Sequence, residues 1–420
     1  MAFQQGLSGL NSSSKALDVI SNNVANASTV GFKNSGTVFA DAYASSLTGA
    51  VSKVQIGIGS AVQAVRQTFN QGNITTTNNP LDMAANGNGF FEVELQNGGY
   101  ALTRNGQFNI DKNGYIVTAL GDRLMGYQLV DAVSGDVQAP ATVTADSFRT
   151  MMIPSTGVGA TATTDVGLSL NLSADAATID ATTTPFDPDV PATYTYSTAL
   201  KIFDSLGKEH SLSLYFARRT DVVNSTWDVY TVVDNTVPPP PIAANATLSF
   251  DGLGKLVPPS NFVLNSNLGP DADPSVIDVD MSLITQFGGK STPRELTQNG
   301  SSPGEIAGLA ISRNGVIQAR YTNGITKDIA IVNLTTVRNN NGLSPIGNNY
   351  WVETPESGGF ARGEPGNGLN GVISAGQVEE SNVDLTQELV QMIIQQRNYQ
   401  ANAQSIRTQD QILQTLVNLR

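Results

Sequence analysis

The chain is poor in the residues that many enzymes use for catalysis and metal binding. It has no cysteine and a single histidine, His210. Without cysteine there can be no disulfide, thiolate nucleophile or iron–sulfur cluster, and a histidine dyad or zinc site would have to be built around His210. Only 14% of the residues are charged, against roughly 25% in an ordinary globular protein. No apolar run approaches the ~18 residues of a membrane span, so we expect no membrane insertion.

Basic residues are scarce as well. The chain has 23 Lys and Arg against 36 Asp and Glu, a net charge of −13. Binding to nucleic acid needs clustered cations, so this balance predicts no nucleic-acid partner. The acidity is local, because residues 148–289 contain 15 acidic and 6 basic side chains (net −9), whereas residues 1–72 contain 2 acidic and 4 basic ones (net +2).

The N-terminus does not have the pattern of a secretory signal. It has no charged leading region, and its apolar residues are spaced rather than continuous, which by itself favours a cytosolic protein. A large acidic chain without cysteine, rich in Thr and Asn and patterned for strands, is more typical of the cell exterior. Both observations are satisfied if the protein is exported without a cleaved signal peptide.

The C-terminal forty residues predict one long helix. They contain no Gly or Pro, and Asn382 or Asp384 could cap the start. Apolar residues recur with alternating steps of four and three, interrupted by Gln396 and Asp410, which is a heptad pattern. Its main positions are Leu385, Leu389, Met392, Tyr399, Ala403, Ile406, Leu413 and Val417.

The N-terminus carries a second heptad pattern, at Phe3, Leu7, Leu10, Leu17 and Val24. It ends in a stretch rich in turn-forming residues, with Asn22, Asn23, Asn26, Gly31 and Phe32. Neither predicted helix has a sequence neighbour to cover its apolar stripe. The two termini should therefore pack on each other as an intramolecular hairpin, or on the termini of other subunits. A helix with one narrow stripe is marginal alone in water, so the ends could require a partner to become ordered.

The middle of the chain is patterned for strands. Residues 73–147 and 290–362 resemble two halves of one β domain, with hairpin signals at Asn105-Gly106, Asn113-Gly114, Asn314-Gly315 and Asn323-Gly324. Residues 148–289 predict an inserted β-sandwich or barrel, in which Asp-Xaa-Leu-Gly-Lys turns recur at Asp204–Lys208 and Asp251–Lys255. The predicted fold class is mainly β with α-helical termini: two β domains, one inserted in the other, and a terminal coiled-coil domain formed by both chain ends.

The predicted domain boundaries follow from these patterns. They are a helical domain of residues 1–30 and 378–420, a connecting region of 31–72 and 363–377, a first β domain of 73–147 and 290–362, and an inserted acidic outer domain of 148–289.

The sequence contains no complete catalytic motif of the kinds that follow. The Gly-Lys pairs lack the earlier glycine of a phosphate-binding loop, and Ser12–Lys15 matches Ser-Xaa-Xaa-Lys without its companion motifs. The carboxylates between Asp271 and Asp280 lack the pattern of a calcium loop, so solvated turns are favoured. His210 is predicted to be an exposed edge residue, and carboxylate pairs for glycoside hydrolysis stay open. We expect no catalytic residue, cofactor or metal.

Both chain ends resemble a known family. Residues Leu7–Lys33, including the Asn-rich stretch through Gly31 and Phe32, are similar to the signature of bacterial flagellar axial proteins, the rod and hook subunits. Residues Ser381–Arg420 resemble the end of the hook members, and the segment from Gly87 to Val93 fits the same family. The length and the large insert favour a hook over a rod protein.

The resemblance implies a structural protein rather than an enzyme. Family members polymerise into a helical tube whose inner wall is a coiled coil of the terminal helices, so the heptad positions above are the expected assembly residues. A hook tube is a curved, flexible joint that carries motor torque to the filament. A helix face would then be available to the export channel, formed by Arg397, Asn398, Gln404, Ser405, Thr408 and Gln411.

The resemblance also implies partners and a location. Expected partners are further copies of the chain, the hook cap, the distal rod, the hook–filament junction proteins and the flagellar type III export apparatus. The location would be the extracellular flagellum. Phe39 and Tyr43 resemble a pattern that the export gate is thought to read. The alternatives are a distal rod subunit and, in a different class, a secreted carbohydrate-active enzyme or adhesin.

Overall fold

A computed structural model describes residues 2–42, 59–129, 147–154, 157–181, 183–220, 225–234, 242–268 and 271–418. The chain divides into two compact units. The first unit comprises residues 1–155, 308–320 and 326–420, and the second comprises residues 156–307 and 321–325. Most of the regular structure is strand, with one long helix at each end of the chain, which confirms the predicted fold class.

The two helices are α1, Ala2–Ala25, and α2, Leu385–Asn418. The carboxylate of Asp384 accepts hydrogen bonds from the backbone N–H groups of Thr386 (2.9 Å) and Gln387 (3.0 Å), so this residue is the N-cap of α2. Helix α1 ends in a turn that leads to Gly31, whose φ is +72°. Neither described helix has the length and apolarity together that crossing a bilayer requires.

The first unit is built around one large sheet. Its early strands are β1 Ser35–Ala42, β2 Gly59–Gln67, β3 Ile74–Thr76, β4 Met83–Asn86, β5 Phe91–Glu94, β6 Tyr100–Thr103, β7 Phe108–Ile110, β8 Ile116–Thr118, β9 Arg123–Gln128 and β10 Phe148–Thr150. Strands β1 and β2 form a separate antiparallel hairpin. Strand β9 is the hub of the sheet and pairs with β5, β8 and β10.

The second unit is a β-sandwich. Its strands are β11 Asp165–Ser173, β12 Tyr196–Phe203, β13 Glu209–Arg218, β14 Ser225–Val233, β15 Ala246–Phe250, β16 Leu256–Val257, β17 Asn261–Ser266, β18 Ser275–Asp280, β19 Thr285–Phe287 and β20 Thr292–Gln298. Strands β12 to β16 form an antiparallel meander, and the other five form a mixed sheet around β11. Side chains from both sheets, including Leu168, Phe216, Trp227 and Ile277, share one buried cluster.

The chain then completes the first unit. Its later strands are β21 Ile306–Ile311, β22 Val316–Tyr321, β23 Thr326–Val332, β24 Leu334–Thr336, β25 Ser344–Gly347, β26 Tyr350–Val352, β27 Ala361–Gly363, β28 Val372–Ala375 and β29 Gln377–Glu379. The sheet runs β21-β22-β23-β9-β5-β6-β26-β25, while β28 pairs with β4 and β29 with β3. These last pairings bring the chain back beside its early strands just before α2 begins.

The turn predictions are largely confirmed. Asn113-Gly114, Asn314-Gly315 and Asn323-Gly324 lie in tight turns between consecutive strands, and each glycine has a positive φ. The two Asp-Xaa-Leu-Gly-Lys segments join β12 to β13 and β15 to β16. The prediction for Asn105-Gly106 is wrong, since the flanking strands pair elsewhere, β6 with β5 and β26 and β7 with β8. A Cβ at Gly106 would lie 1.5 Å from the carbonyl oxygen of Met83. This glycine permits a close backbone contact rather than a hairpin turn.

Candidate assembly site: the paired terminal helices and their junction

Helices α1 and α2 pack against each other through small residues. A Cβ at Gly6 would lie 3.0 Å from Cγ1 of Ile406, and one at Gly9 would lie 2.7 Å from the side-chain nitrogen of Asn402. The two backbones can approach this closely because neither glycine has a side chain. Glycine costs helix stability, so the contact must compensate for it. The termini of one chain therefore pair with each other, which is one of the two alternatives that the heptad patterns left open.

A second face of α1 packs on the β1–β2 hairpin. The Ser12 hydroxyl donates a hydrogen bond to the carbonyl oxygen of Ser60 (3.0 Å), and the Ser60 N–H donates to the Ser8 hydroxyl (3.4 Å). Ala16, on the same helix, is 1% exposed. Small and hydroxyl residues therefore make close contacts that hold α1 within its own chain.

Many of the predicted heptad residues remain uncovered. Phe3, Leu7, Leu385, Leu389, Tyr399 and Leu413 are between 37% and 53% exposed, while Leu10, Leu17, Val24, Met392 and Ile406 are half-buried. The side chain of Val417 lies outside the described residues. The heptad positions of α2 are thus only partly used inside one chain, and their role in assembly stays a prediction.

Further large apolar side chains are exposed on α2. We call the whole set the exposed apolar residues of the helix pair: Phe3, Leu7, Leu385, Leu389, Val390, Ile393, Ile394, Tyr399, Ile412 and Leu413. Four of them, Val390, Ile393, Ile394 and Ile412, lie outside the predicted heptad. So many exposed apolar side chains on one pair of helices indicate a surface that another protein covers.

The Asn-rich motif forms the junction between α1 and the β strands. The side-chain amide of Asn23 donates to the Ser35 carbonyl (2.8 Å) and accepts from the Ser35 N–H (3.0 Å). The side-chain amide of Asn26 donates a hydrogen bond to the Asn22 carbonyl oxygen (2.9 Å) at the end of the helix. Gly31 packs so tightly against Arg104 and Asn105 that a Cβ would lie 2.5 Å from the Asn105 nitrogen. Phe32 is buried. The Asn-rich motif therefore fixes how the chain passes from α1 to β1 against the segment at Arg104 and Asn105.

Three buried charges also meet at this junction. Lys33 and Glu379 are fully buried and 2.6 Å apart, and Arg104 lies 3.1 Å from the other carboxylate oxygen of Glu379. Burial lowers the pKa of Lys33 and of Arg104, against the opposing effect of Glu379. We call these three residues the junction charge cluster. Sequence reasoning did not find it, because its members are distant in the chain and have no common motif.

The predicted export-gate residues are placed only in part. Phe39 lies on β1 at a bulge and is 44% exposed. Tyr43 lies outside the described residues. Exposure leaves Phe39 available for contacts, but the export role itself stays a prediction.

The expectation that His210 is an exposed edge residue is wrong. The side chain is 3% exposed, with Nδ1 at 2.5 Å from an Asp234 oxygen and Nε2 at 3.2 Å from an Asp204 oxygen. Strand β13 is internal, since it pairs with β12 and β14, and this topology buries the ring. Within the described ranges, no three acidic, His or Cys side chains are arranged to hold a metal ion, and this includes the carboxylates from Asp271 to Asp280.

Four family models match the chain. They are described as "Flagella basal body rod protein" over residues 3–33, "Flagellar hook protein FlgE/F/G D1 domain" over 84–159, "Flagellar basal body protein FlaE D2 domain" over 171–301 and "Flagellar basal body rod FlgEFG protein C-terminal" over 374–419. Terminal helices that pair with each other in a chain otherwise made mostly of strands, together with these matches, define the class as a flagellar axial protein of the rod and hook type.

Full-length relatives narrow the class to the hook. The chain is 37% identical to "Flagellar hook protein FlgE" of Escherichia coli strain K12, covering 100% of both chains. It is 30% identical to "Flagellar hook protein FlgE" of Borreliella burgdorferi, covering 100% of this chain and 99% of the relative. The chain therefore belongs to the flagellar hook protein family. The crystal structure of Helicobacter pylori flagellar hook protein FlgE2, 17% identical, matches 73% of this chain and 99% of its own with a TM-score of 0.52, which supports the fold.

Proposed function

We propose that this chain is the repeating structural subunit of a flagellar hook, and that its copies assemble through the terminal helices into a tubular joint that carries motor torque to the filament. Membership of the hook family and full-length similarity to hook proteins support this function. The observation that carries the mechanism is the set of exposed apolar residues of the helix pair, all ten of which are at least 37% exposed in a single chain.

Burial of these side chains is the natural driving force for assembly. Removing apolar surface from water contributes about 25 cal/mol per Å², and a single chain leaves this surface in water. Within the chain, close small-residue contacts at Gly6 and Gly9 hold α1 and α2 together. The exposed apolar residues of the helix pair are thus left for neighbouring copies. This division lets one helix pair serve as the repeating element of a tube wall.

The polar face of α2 supports a channel lining. Arg397, Asn398, Gln404, Ser405, Thr408 and Gln411 are all exposed. Only the first of these is charged, so the face offers few fixed charges to a passing chain. A weakly charged wall lets unfolded chains of either sign pass without strong electrostatic binding. The same chain would therefore build the tube and line its export channel.

The remaining assignments form part of the same proposal. The chain works without catalysis, its partners are copies of itself, the distal rod, the hook cap and the hook–filament junction proteins, and it reaches the cell exterior through the flagellar type III apparatus. A distal rod subunit is less favoured, since similarity to hook proteins extends over the full chain. The enzyme alternative is also less favoured, since the full-length relatives are hook proteins.

Electron microscopy of the purified protein under polymerising conditions tests the proposal. The full chain should form curved tubes. A variant that lacks residues 385–420 should remain a folded, soluble monomer, because it keeps the junction and both β units but loses α2. Tubes formed by the truncated variant would contradict assembly through the helices, and a full chain that never polymerises would contradict the function.

A further inference from the structure

Apart from the β1–β2 hairpin that packs on α1, the helix pair is joined to the β strands of its unit through a narrow junction. After α1 the chain passes through residues 26–34 before β1, and after β29 it passes through residues 380–384 before α2. We propose that Glu379 is the positioning residue that fixes the helix pair on the β part of the first unit, and thereby sets where neighbouring copies meet. This inference rests on the proposed function, in which helices and strands occupy different layers of one tube.

Glu379 is bonded through its side chain and its backbone. Its Oε1 accepts hydrogen bonds from Lys33 Nζ (2.6 Å) and from the Gly72 N–H (2.8 Å). Its Oε2 accepts from Arg104 Nη1 (3.1 Å), and its carbonyl oxygen accepts from the Gly31 N–H (2.7 Å). One fully buried residue thus gathers four hydrogen bonds from three other parts of the chain.

Those parts are the segments whose relative positions place the helix pair on the β strands. Lys33 and Gly31 belong to the segment that follows α1, Gly72 precedes β3, and Arg104 follows β6. Glu379 itself ends β29, six residues before α2 begins at Leu385. The carboxylate therefore ties the exit of the first helix, the entry of the second and the β strands at a single point.

Lys33 and Arg104 also donate hydrogen bonds to backbone carbonyl groups of neighbouring segments. Lys33 Nζ also donates to the Asn70 carbonyl (2.8 Å). Arg104 donates to the Ala85 carbonyl through Nη1 (3.0 Å) and to the Gly87 carbonyl through Nη2 (2.8 Å). Each cation thus joins Glu379 to a further chain segment, so that tilting the helices would break several charge-assisted hydrogen bonds at once.

The balance of charge makes Glu379 the critical member. The cluster has two cations and one carboxylate, and all three side chains are at most 5% exposed. Breaking a buried ion pair is costly, because a charge is left without a partner in a medium that solvates it poorly. Neutralising Glu379 would leave both cations unpaired, whereas neutralising Lys33 would leave one balanced pair.

A matched control exists in the same unit. Glu92 on β5 is also fully buried, and it accepts hydrogen bonds from Arg362 Nη2 (2.6 Å) and Nε (2.8 Å) and from the Thr335 hydroxyl (2.8 Å). These bonds join β strands to each other, and among the described residues no hydrogen bond of the Glu92 carboxylate reaches the segments next to α1 and α2. Glu92→Gln therefore removes a buried carboxylate without touching the junction, which separates a general loss of stability from a loss of helix positioning.

The experiment measures helix position in the assembled polymer. The chain has no cysteine, so Asn97→Cys on a β loop and Gln400→Cys on α2, both exposed, accept a pair of nitroxide labels. Labelled subunits are diluted into unlabelled ones, so that the measured pairs lie within one subunit. Double electron–electron resonance then gives the distribution of distances between the two labels. The critical concentration for polymerisation is measured in parallel for the parent, Glu379→Gln and Glu92→Gln.

We expect Glu379→Gln to broaden the distance distribution and to raise the critical concentration about tenfold or more, while Glu92→Gln keeps the parental distances. Identical distributions for Glu379→Gln and the parent, or equal broadening by both variants, would overturn the proposal. If Glu379→Gln does not fold, the variant Asn382→Ala tests whether the junction positions the helices. This variant removes the side-chain bonds to Thr68 (2.7 Å) and Asn34 (2.7 Å) without burying a charge, and parental distances there would reject helix positioning by the junction. A parent that fails to polymerise would instead contradict the proposed function.

Discussion

Leu389 offers a quantitative test of assembly through the helix pair. It lies in the second turn of α2, and 44% of its surface is exposed in a single chain. In the variant Leu389→Ser this apolar surface is lost, while the helix keeps its Asp384 cap and the small-residue contacts with α1. The substitution should therefore weaken contacts between copies more than contacts within the chain.

The expected magnitude follows from the exposed fraction. Complete burial of a leucine side chain is worth about 1.5–3 kcal/mol. If neighbouring copies cover the 44% that one chain leaves exposed, the loss is about 0.7–1.3 kcal/mol per subunit. Since 1.4 kcal/mol corresponds to a tenfold change in an equilibrium constant, the critical concentration should rise about three- to ninefold.

The assay is sedimentation of polymer from monomer over a range of protein concentrations. The matched control is Leu369→Ser, which removes a leucine that is 83% exposed between β27 and β28. If exposure alone decided the effect, the control would be the more disruptive change. A critical concentration for Leu389→Ser equal to that of the parent, or a larger effect of Leu369→Ser, would refute assembly driven by the helices.

Three further predictions address the monomer, the helix contact and the buried histidine. In the isolated monomer, amide exchange in residues 1–30 and 385–418 should be fast, because much of their apolar surface has no cover; slow exchange would favour a closed helical hairpin that is stable alone. Gly6→Val should disrupt the α1–α2 contact, since even a Cβ at this position would lie 3.0 Å from Ile406. Electron micrographs should then show a loss of tubes. Gly36→Val, at a site with open space, should polymerise normally. Burial alone would raise the pKa of Asp204, but backbone hydrogen bonds from Lys208 and Leu206 and the contact with His210 outweigh it, so the pKa lies below its usual value. A depressed pKa stabilises the folded state above the unfolded-state pKa of about 3.9, and this stability is lost as the pH falls through the folded-state value. Chemical denaturation should therefore find Asp204→Asn less stable than the parent at pH 7, with no difference between them in strong acid. A difference that persists in strong acid would reject the ionised carboxylate as its cause.

The local elements were predictable because their signals are local. Turns at Asn113-Gly114 and Asn323-Gly324 follow from residues that accept a positive φ, and the start of α2 follows from the cap at Asp384. The same reasoning failed at Gly106, where a distant carbonyl group rather than a turn requires glycine. A dipeptide cannot indicate which of these two constraints acts on it.

The heptad patterns predicted that the termini would be helices that meet, but not how they meet. The contact inside the chain uses Gly6 and Gly9, while Leu385 and Leu389 stay exposed. An apolar stripe indicates that a helix buries one face; it does not indicate whether the covering surface belongs to the same chain. The surroundings of His210 were missed for a similar reason, since Asp234 reaches it through strand pairing.

The sequence by itself determined the class of elements, the turns, the absence of cysteine chemistry and, through its two terminal motifs, the resemblance to flagellar axial proteins. These properties depend on residue types and short spacings. Only the tertiary structure brought Lys33, Arg104 and Glu379 together, because their contacts span 275 and 346 positions of chain. Pairing of β29 with β3 creates this meeting point, and the cost of leaving a buried charge without a partner makes the arrangement specific.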